Sequence, residues 1–234
     1  MCRWSTVVLA AFALALSGSV AHAHGVWVEK RYDKHRIVLG EGAVDNAYPA
    51  GKVVSVTGYD AEGRAAEVRL LPQADHVVLD VADGVAAVAT TFDHGYWCKD
   101  AEGKWVNKPA EEVPGASGGH ATIKYNIAYL KAAITPVTVP GFAIQIVPEV
   151  NPASLGMCDM LKVQVLRDGK PLPGVKVMLD VVNNPEATVE TDADGKASVA
   201  VRNSGLNVLG VEESFSDDGK ETAYFTSLSF VCGG

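Results

Sequence analysis

The chain has 234 residues, with 20 Lys and Arg against 28 Asp and Glu, a formal charge of −8 with histidine neutral. The acidic residues are scattered and no basic surface exists to neutralise phosphates, which excludes nucleic acid as a partner. No G-x-S-x-G elbow, H-E-x-x-H pair, glycine-rich phosphate loop or Cys/His nucleophile pattern is present, so a non-enzymatic role is expected.

In chain order, Arg3 is followed by an apolar run over 6–16 and then by Ala21-His22-Ala23. A short apolar core ending in A-x-A is the pattern of a secretory signal peptide cleaved after Ala23. The run is too short for the roughly 20 residues that span a bilayer, and nothing later is longer, so the protein is not expected to be membrane-embedded. Cys2 lies ahead of the apolar core rather than at its end, which favours free periplasm over a lipid anchor. Cleavage leaves 211 of the 234 residues, beginning at His24. That length suits one large domain or two small ones, and two are expected.

From residue 26 onward nearly every segment alternates apolar and polar residues over five to eight positions between Gly, Pro, Asp and Asn clusters, the mark of many short strands. Only 119–132 has a pattern compatible with partial helix. Segment 102–119 lacks alternation and predicts an extended loop, within a long connection over 93–120. Two prolines and a glycine in 134–141 place a domain boundary there. The expected architecture is all-β: two Ig-like or transthyretin-like β-sandwich domains in tandem, 24–135 and 136–234. Within the second, "VQVLRDGKPLPGVKVML" and "TVETDADGKASVAV" read as hairpins turning at Asp168-Gly169 and Asp192–Gly195. These motifs resemble the transthyretin-like and carboxypeptidase-regulatory-like sandwiches over about 142–232. In such folds the first and last strands run side by side. The resemblance therefore implies a Cys158–Cys232 disulfide, leaving Cys98 unpaired beside Trp97.

The mature terminus would be His24-Gly25-Val26-Trp27. A leading histidine offers its α-amine and imidazole to one ion, and one further imidazole completes a three-nitrogen site suited to Cu(II) or Ni(II). The bland alternative is that His24 is simply where cleavage falls. His94 and His120 flank the long connection and are the expected partners; Asp93 stands where it would orient His94 through its second ring nitrogen. His35 is expected to be solvated and His76 structural. Met157 and Met160 bracket Cys158, a soft-metal spacing that more often marks core filler. Trp97, Trp105, Tyr125 and Tyr129 gather around the long connection and either line a ligand groove or pack beneath it.

Taken together, "HGVWVEKR", "LGEGAVDNAY", "TTFDHGYWCKDAEGKW" and the C-terminal sandwich resemble the periplasmic family called domain of unknown function 4198, over 24–232. The resemblance implies an accessory component of nickel or cobalt uptake, with the family's leading histidine and following aromatic matched by His24 and Trp27. The resulting expectation is a periplasmic protein that binds nickel, cobalt or copper and delivers it to a membrane importer. A non-catalytic binding or adhesion module for a carbohydrate, peptide or protein is the alternative, and a structural spacer a third.

Overall fold

The computed structural model describes residues 24–42, 44–217 and 219–233; the expected signal peptide, 1–23, lies outside them. The strands in chain order are β1 Gly25–Arg31, β2 Lys34–Glu41, β3 Val44–Asn46, β4 Val53–Asp60, β5 Ala65–Ala66, β6 Val68–Pro72, β7 Val77–Val81, β8 Val85–Lys99, β9 Trp105–Val106 and β10 Ser117–Tyr129. They continue with β11 Ile144–Pro148, β12 Met160–Arg167, β13 Lys170–Pro171, β14 Lys176–Met178, β15 Thr188–Glu190, β16 Lys196–Ala200, β17 Leu206–Asp217 and β18 Lys220–Val231. Among the described residues the only helical pieces are single 3-10 turns, so the all-β expectation holds.

Three sheets are stacked. One outer sheet, β1-β2-β7-β6 with β3 on β2, comes wholly from the first half of the chain; the other, β11-β12-β13 with β16 on β12, comes wholly from the second. Between them lies a nine-stranded sheet, β15-β14-β17-β18-β10-β8-β4-β5 with β9 on β8, to which both halves contribute. The halves meet where β10 and β18 pair in parallel, Ala121 opposite Thr222 through Tyr129 opposite Phe230. The two sandwiches thus share their middle layer.

Period-two alternation explains the stacking. On β10 and β18, Tyr125, Ile127, Tyr129, Leu228 and Phe230 face the second-half sheet and pack with Ile144, Ile146, Leu161 and Val163. Ala128 of β10 and Val88 and Phe92 of β8 turn the other way, onto Val26, Val28, Ile37 and Leu39. Phe225 packs with Trp27 and Val38. Strands covered on both faces become runs of buried residues, as over Val85–Thr90.

β1 is an edge strand laid across this middle sheet, and side chains rather than a further strand satisfy its backbone. Asn126 Oδ1 accepts from Val28 N at 3.1 Å. Ser227 Oγ donates to Val26 O, and Ser229 Oγ donates to Val28 O at 3.1 Å. The Asn126 amide in turn donates to both serine hydroxyls, at 2.9 and 3.1 Å. All three side chains are buried, so this network closes a set of polar groups that would otherwise be costly.

Several expectations are corrected. Residues 119–132 are not helical: 117–129 form β10, because Ile123, Tyr125, Ile127 and Tyr129 recur every second residue. The long connection is shorter than expected, since β8 runs to Lys99 and β10 begins at Ser117, leaving 100–116 with only the two-residue β9 and one 3-10 turn. Between them the Asp100 carboxylate takes the N–H groups of Glu102 and Lys104, forming the turn that returns β9 onto Cys98 and Lys99. The proline-rich segment 134–141 is docked: Ile134, Val137 and Val139 are buried, and Val137 N donates to Tyr129 Oη at 2.8 Å.

The Cys158–Cys232 disulfide is not formed; Cys98, Cys158 and Cys232 are free thiols. Both cysteines sit at the end of the sandwich marked by residues 201–203, but in different bonding arrangements. Cys158 is exposed on a turn with φ of 74° and donates its N–H to Val201 O. The Cys232 thiol donates to Asn203 O at 2.9 Å and accepts from Asn207 Nδ2 at 3.2 Å. Met157 and Met160 are not core filler: they are 58% and 57% exposed. Cys98 is buried, its thiol turned to Lys108 O at 3.4 Å. Alkylation followed by mass spectrometry should therefore label Cys158 first. Cys232, whose thiol is pushed up chiefly by burial, should react more slowly, and Cys98 only on unfolding. A protected Cys158 in the native protein would contradict this structure.

Candidate functional site

His24 immediately precedes β1 and is held by the anchoring of that strand. Gly25 lies so close to the middle sheet that a Cβ there would sit 3.0 Å from the Phe225 ring, which seats the start of the strand on β18. The imidazole is partly exposed, with its Nε2 3.9 Å from Glu41 Oε2 at the end of the neighbouring strand.

His94 reaches the same place through a bulge. On β8, Asp93 pairs with Ile123 and Gly95 with Thr122, so His94 is the extra residue between them. Asp93 Oδ1 accepts from Gly95 N at 2.8 Å, and Gly95 takes φ of 92°. That φ favours glycine, and a Cβ at Gly95 would lie 2.8 Å from the side-chain ends Asn107 Oδ1 and Lys52 Nζ. Asn107 Nδ2 fixes the bulge by donating to His94 O at 2.7 Å. The His94 ring is then 5.9 Å from the His24 ring, 6.2 Å from Phe92 and 5.1 Å from Trp97, centre to centre.

Beneath these rings is Lys124. It stands opposite Phe92 on β8 and Phe225 on β18, hence on the face covered by β1. Its side chain is completely buried, and Nζ is 5.4 Å from the centre of the Phe225 ring with no hydrogen-bond partner among the described residues. Burial pushes the ammonium down to about 8, with the Glu212 charge acting the other way. Burial, followed by the charges of Lys124, His24 and Lys52, holds His94 down to about 3. His94 is therefore a neutral imidazole with an available lone pair throughout the physiological range.

The structure brings together two of the three expected ligands. His120 lies four residues along β10 from Lys124, roughly 13 Å at the rise of a strand, and its ring meets Trp105 at 5.4 Å. Among the described residues no three His, Cys, Asp or Glu side chains converge as a metal-holding group. Asp93 Oδ1 accepts from Gly95 N within the turn, and among the described residues no hydrogen bond joins its carboxylate to the His94 ring. The aromatic groove is also only partial. Trp105 is 41% exposed with the Lys99 ammonium 5.2 Å above it, but Tyr125 stacks on Phe142 at 4.3 Å in the opposite core. His35 is half-buried rather than solvated, its pKa lowered by burial and by Lys30. His76 Nδ1 pairs with Asp75 at 2.7 Å.

Glu41, Lys52, Asn107 and Lys124 belong to the site and were not singled out from sequence. Strict alternation through "ATIKYNIAY" would have put Thr122, Lys124 and Asn126 on one face, and Asp93-His94-Gly95 carries the residue types of a bulge.

A β-layered protein with a paired-imidazole niche at the start of its first strand is thus defined by geometry. The chain belongs to the family described as Domain of unknown function (DUF4198), whose model matches residues 21–214. Over 173 residues it is 29% identical to an "Uncharacterized protein" of Haemophilus influenzae, an alignment covering 69% of this chain and 70% of that one. No helix among the described residues is long and apolar enough to cross a membrane.

Proposed function

We propose that this is a periplasmic, non-enzymatic protein that captures a divalent transition metal, copper, nickel or cobalt, and hands it to a membrane importer. The ligands are the α-amine and imidazole of His24, freed by cleavage after Ala23, and the imidazole of His94. The observation that carries the reading is the 5.9 Å between the two ring centres, from residues 70 positions apart in sequence. Two imidazoles ligating one ion from opposite sides, with metal–nitrogen bonds of about 2.0–2.1 Å, hold their ring centres about 6 Å apart. The low proton affinity of His94 supports it further, since a metal need not displace a proton there.

Calorimetric titration of Cu(II) into protein beginning at His24 is expected to show tight one-to-one binding. A single glycine added before His24, or His94→Ala, is expected to weaken it at least 100-fold. Equal affinity with and without the added glycine would overturn the terminal chelate.

A further inference from the structure

Lys124 has no counterpart in a simple cation site. It is a fully buried ammonium without a hydrogen-bond partner among the described residues, on the face of the middle sheet that also carries Phe92, His94 and Trp97. The Trp97 indole Nε1 is a second buried donor without a hydrogen-bond partner among the described residues, on the ring that packs against His94 at 5.1 Å. Lys52 adds a third cation, its Nζ close against Gly95 at the bulge. On the acidic side, Glu41 meets the outer edge of His24, and Glu212 stands across Phe225 from Lys124. The inner part of the niche therefore presents donors and positive charge. A buried donor without an acceptor costs free energy, and a buried unpaired ammonium costs more, unless something negative completes it. Adding a dication between His24 and His94 deepens the positive charge on the inner side, where Lys124 and Lys52 stand.

We propose that the inner end of the niche is an anion subsite. Lys124 holds a small monovalent anion that also ligates the captured metal, so the protein carries its metal as a ternary complex with an anionic co-ligand. This rests on the metal-capture reading for the identity of the cation. The open coordination position left by two imidazoles and an amine is where such an anion binds, and the ammonium behind it offsets its charge.

The probe is azide, which gives a charge-transfer absorption when it ligates Cu(II). Processed protein and its Lys124→Met variant, each loaded with one equivalent of Cu(II) in chloride-free, non-coordinating buffer, are titrated with azide. The wild type is expected to saturate at an azide concentration at least tenfold below that of the variant. Equal azide affinities, with Cu(II) bound by both, would overturn the anion subsite and leave metal capture standing. If the wild type takes up no Cu(II), metal capture has failed, and azide is titrated calorimetrically into metal-free protein. Binding at least tenfold tighter than in Lys124→Met then upholds the subsite, and no difference overturns it. Lys124→Gln is read in the same way should methionine not be accommodated.

Discussion

Asn126→Leu is expected to destabilise the protein by about 3 kcal/mol, because it removes the acceptor for Val28 N and the donor to Ser227 and Ser229 while keeping the side-chain volume. Each orphaned buried group costs about 1–3 kcal/mol, and the three share one network, so their losses do not add in full. The change should be concentrated at β1. Amide exchange at Val28 is expected to accelerate far more than at Ile127, which faces the opposite core. Because His24 immediately precedes β1, the proposed metal affinity should fall with it. Urea unfolding reads the first effect; a loss under 0.5 kcal/mol would mean that β1 is held by its apolar contacts alone.

The opposite sign is expected for Lys124→Met. The folded protein lowers the Lys124 pKa from 10.5 to about 8, so between those values the unfolded chain binds the proton that the folded chain has lost. Stability of the wild type therefore rises with pH across that window, and below pH 8 the full penalty applies. At 1.36 kcal/mol per unit this amounts to about 3 kcal/mol. Methionine carries no such penalty and is of similar length. The variant should exceed the wild type by up to about 3 kcal/mol at pH 7, and the gap should close toward pH 10.5. Unfolding midpoints at pH 7, 9 and 10 measure it. A variant less stable than wild type at pH 7 would show that the ammonium has a partner in solution. Such a cost carried by the native protein fits a residue kept for what it binds.

Layers were legible in the sequence where one face of a strand is solvated. On β12 and β16, buried and exposed residues alternate, and the turns at Asp168-Gly169 and Asp192–Gly195 fall where their glycines require. β10 was harder because both of its faces are covered. Thr122, Lys124 and Asn126 look like a solvent face, whereas β1 lies over them. His24 and His94 were visible as residue types at strand ends, but their meeting depends on a one-residue bulge and a tertiary crossing that local pattern does not encode. His120 shares their face yet is displaced along the strand, a distance that proximity in sequence to the long connection concealed.

The tie between Val26 and Ser227 joins positions 201 residues apart, through the parallel pairing of β10 with the final long strand. A polypeptide still being synthesised has no β18 for its opening strand to rest on, and contacts so distant in sequence close slowly. The niche at His24 is accordingly among the last features to take shape. On the proposed export route, a chain threaded through a secretion channel would carry no assembled ligand set during transit, and only a finished molecule on the far side would gain the proposed capacity to bind.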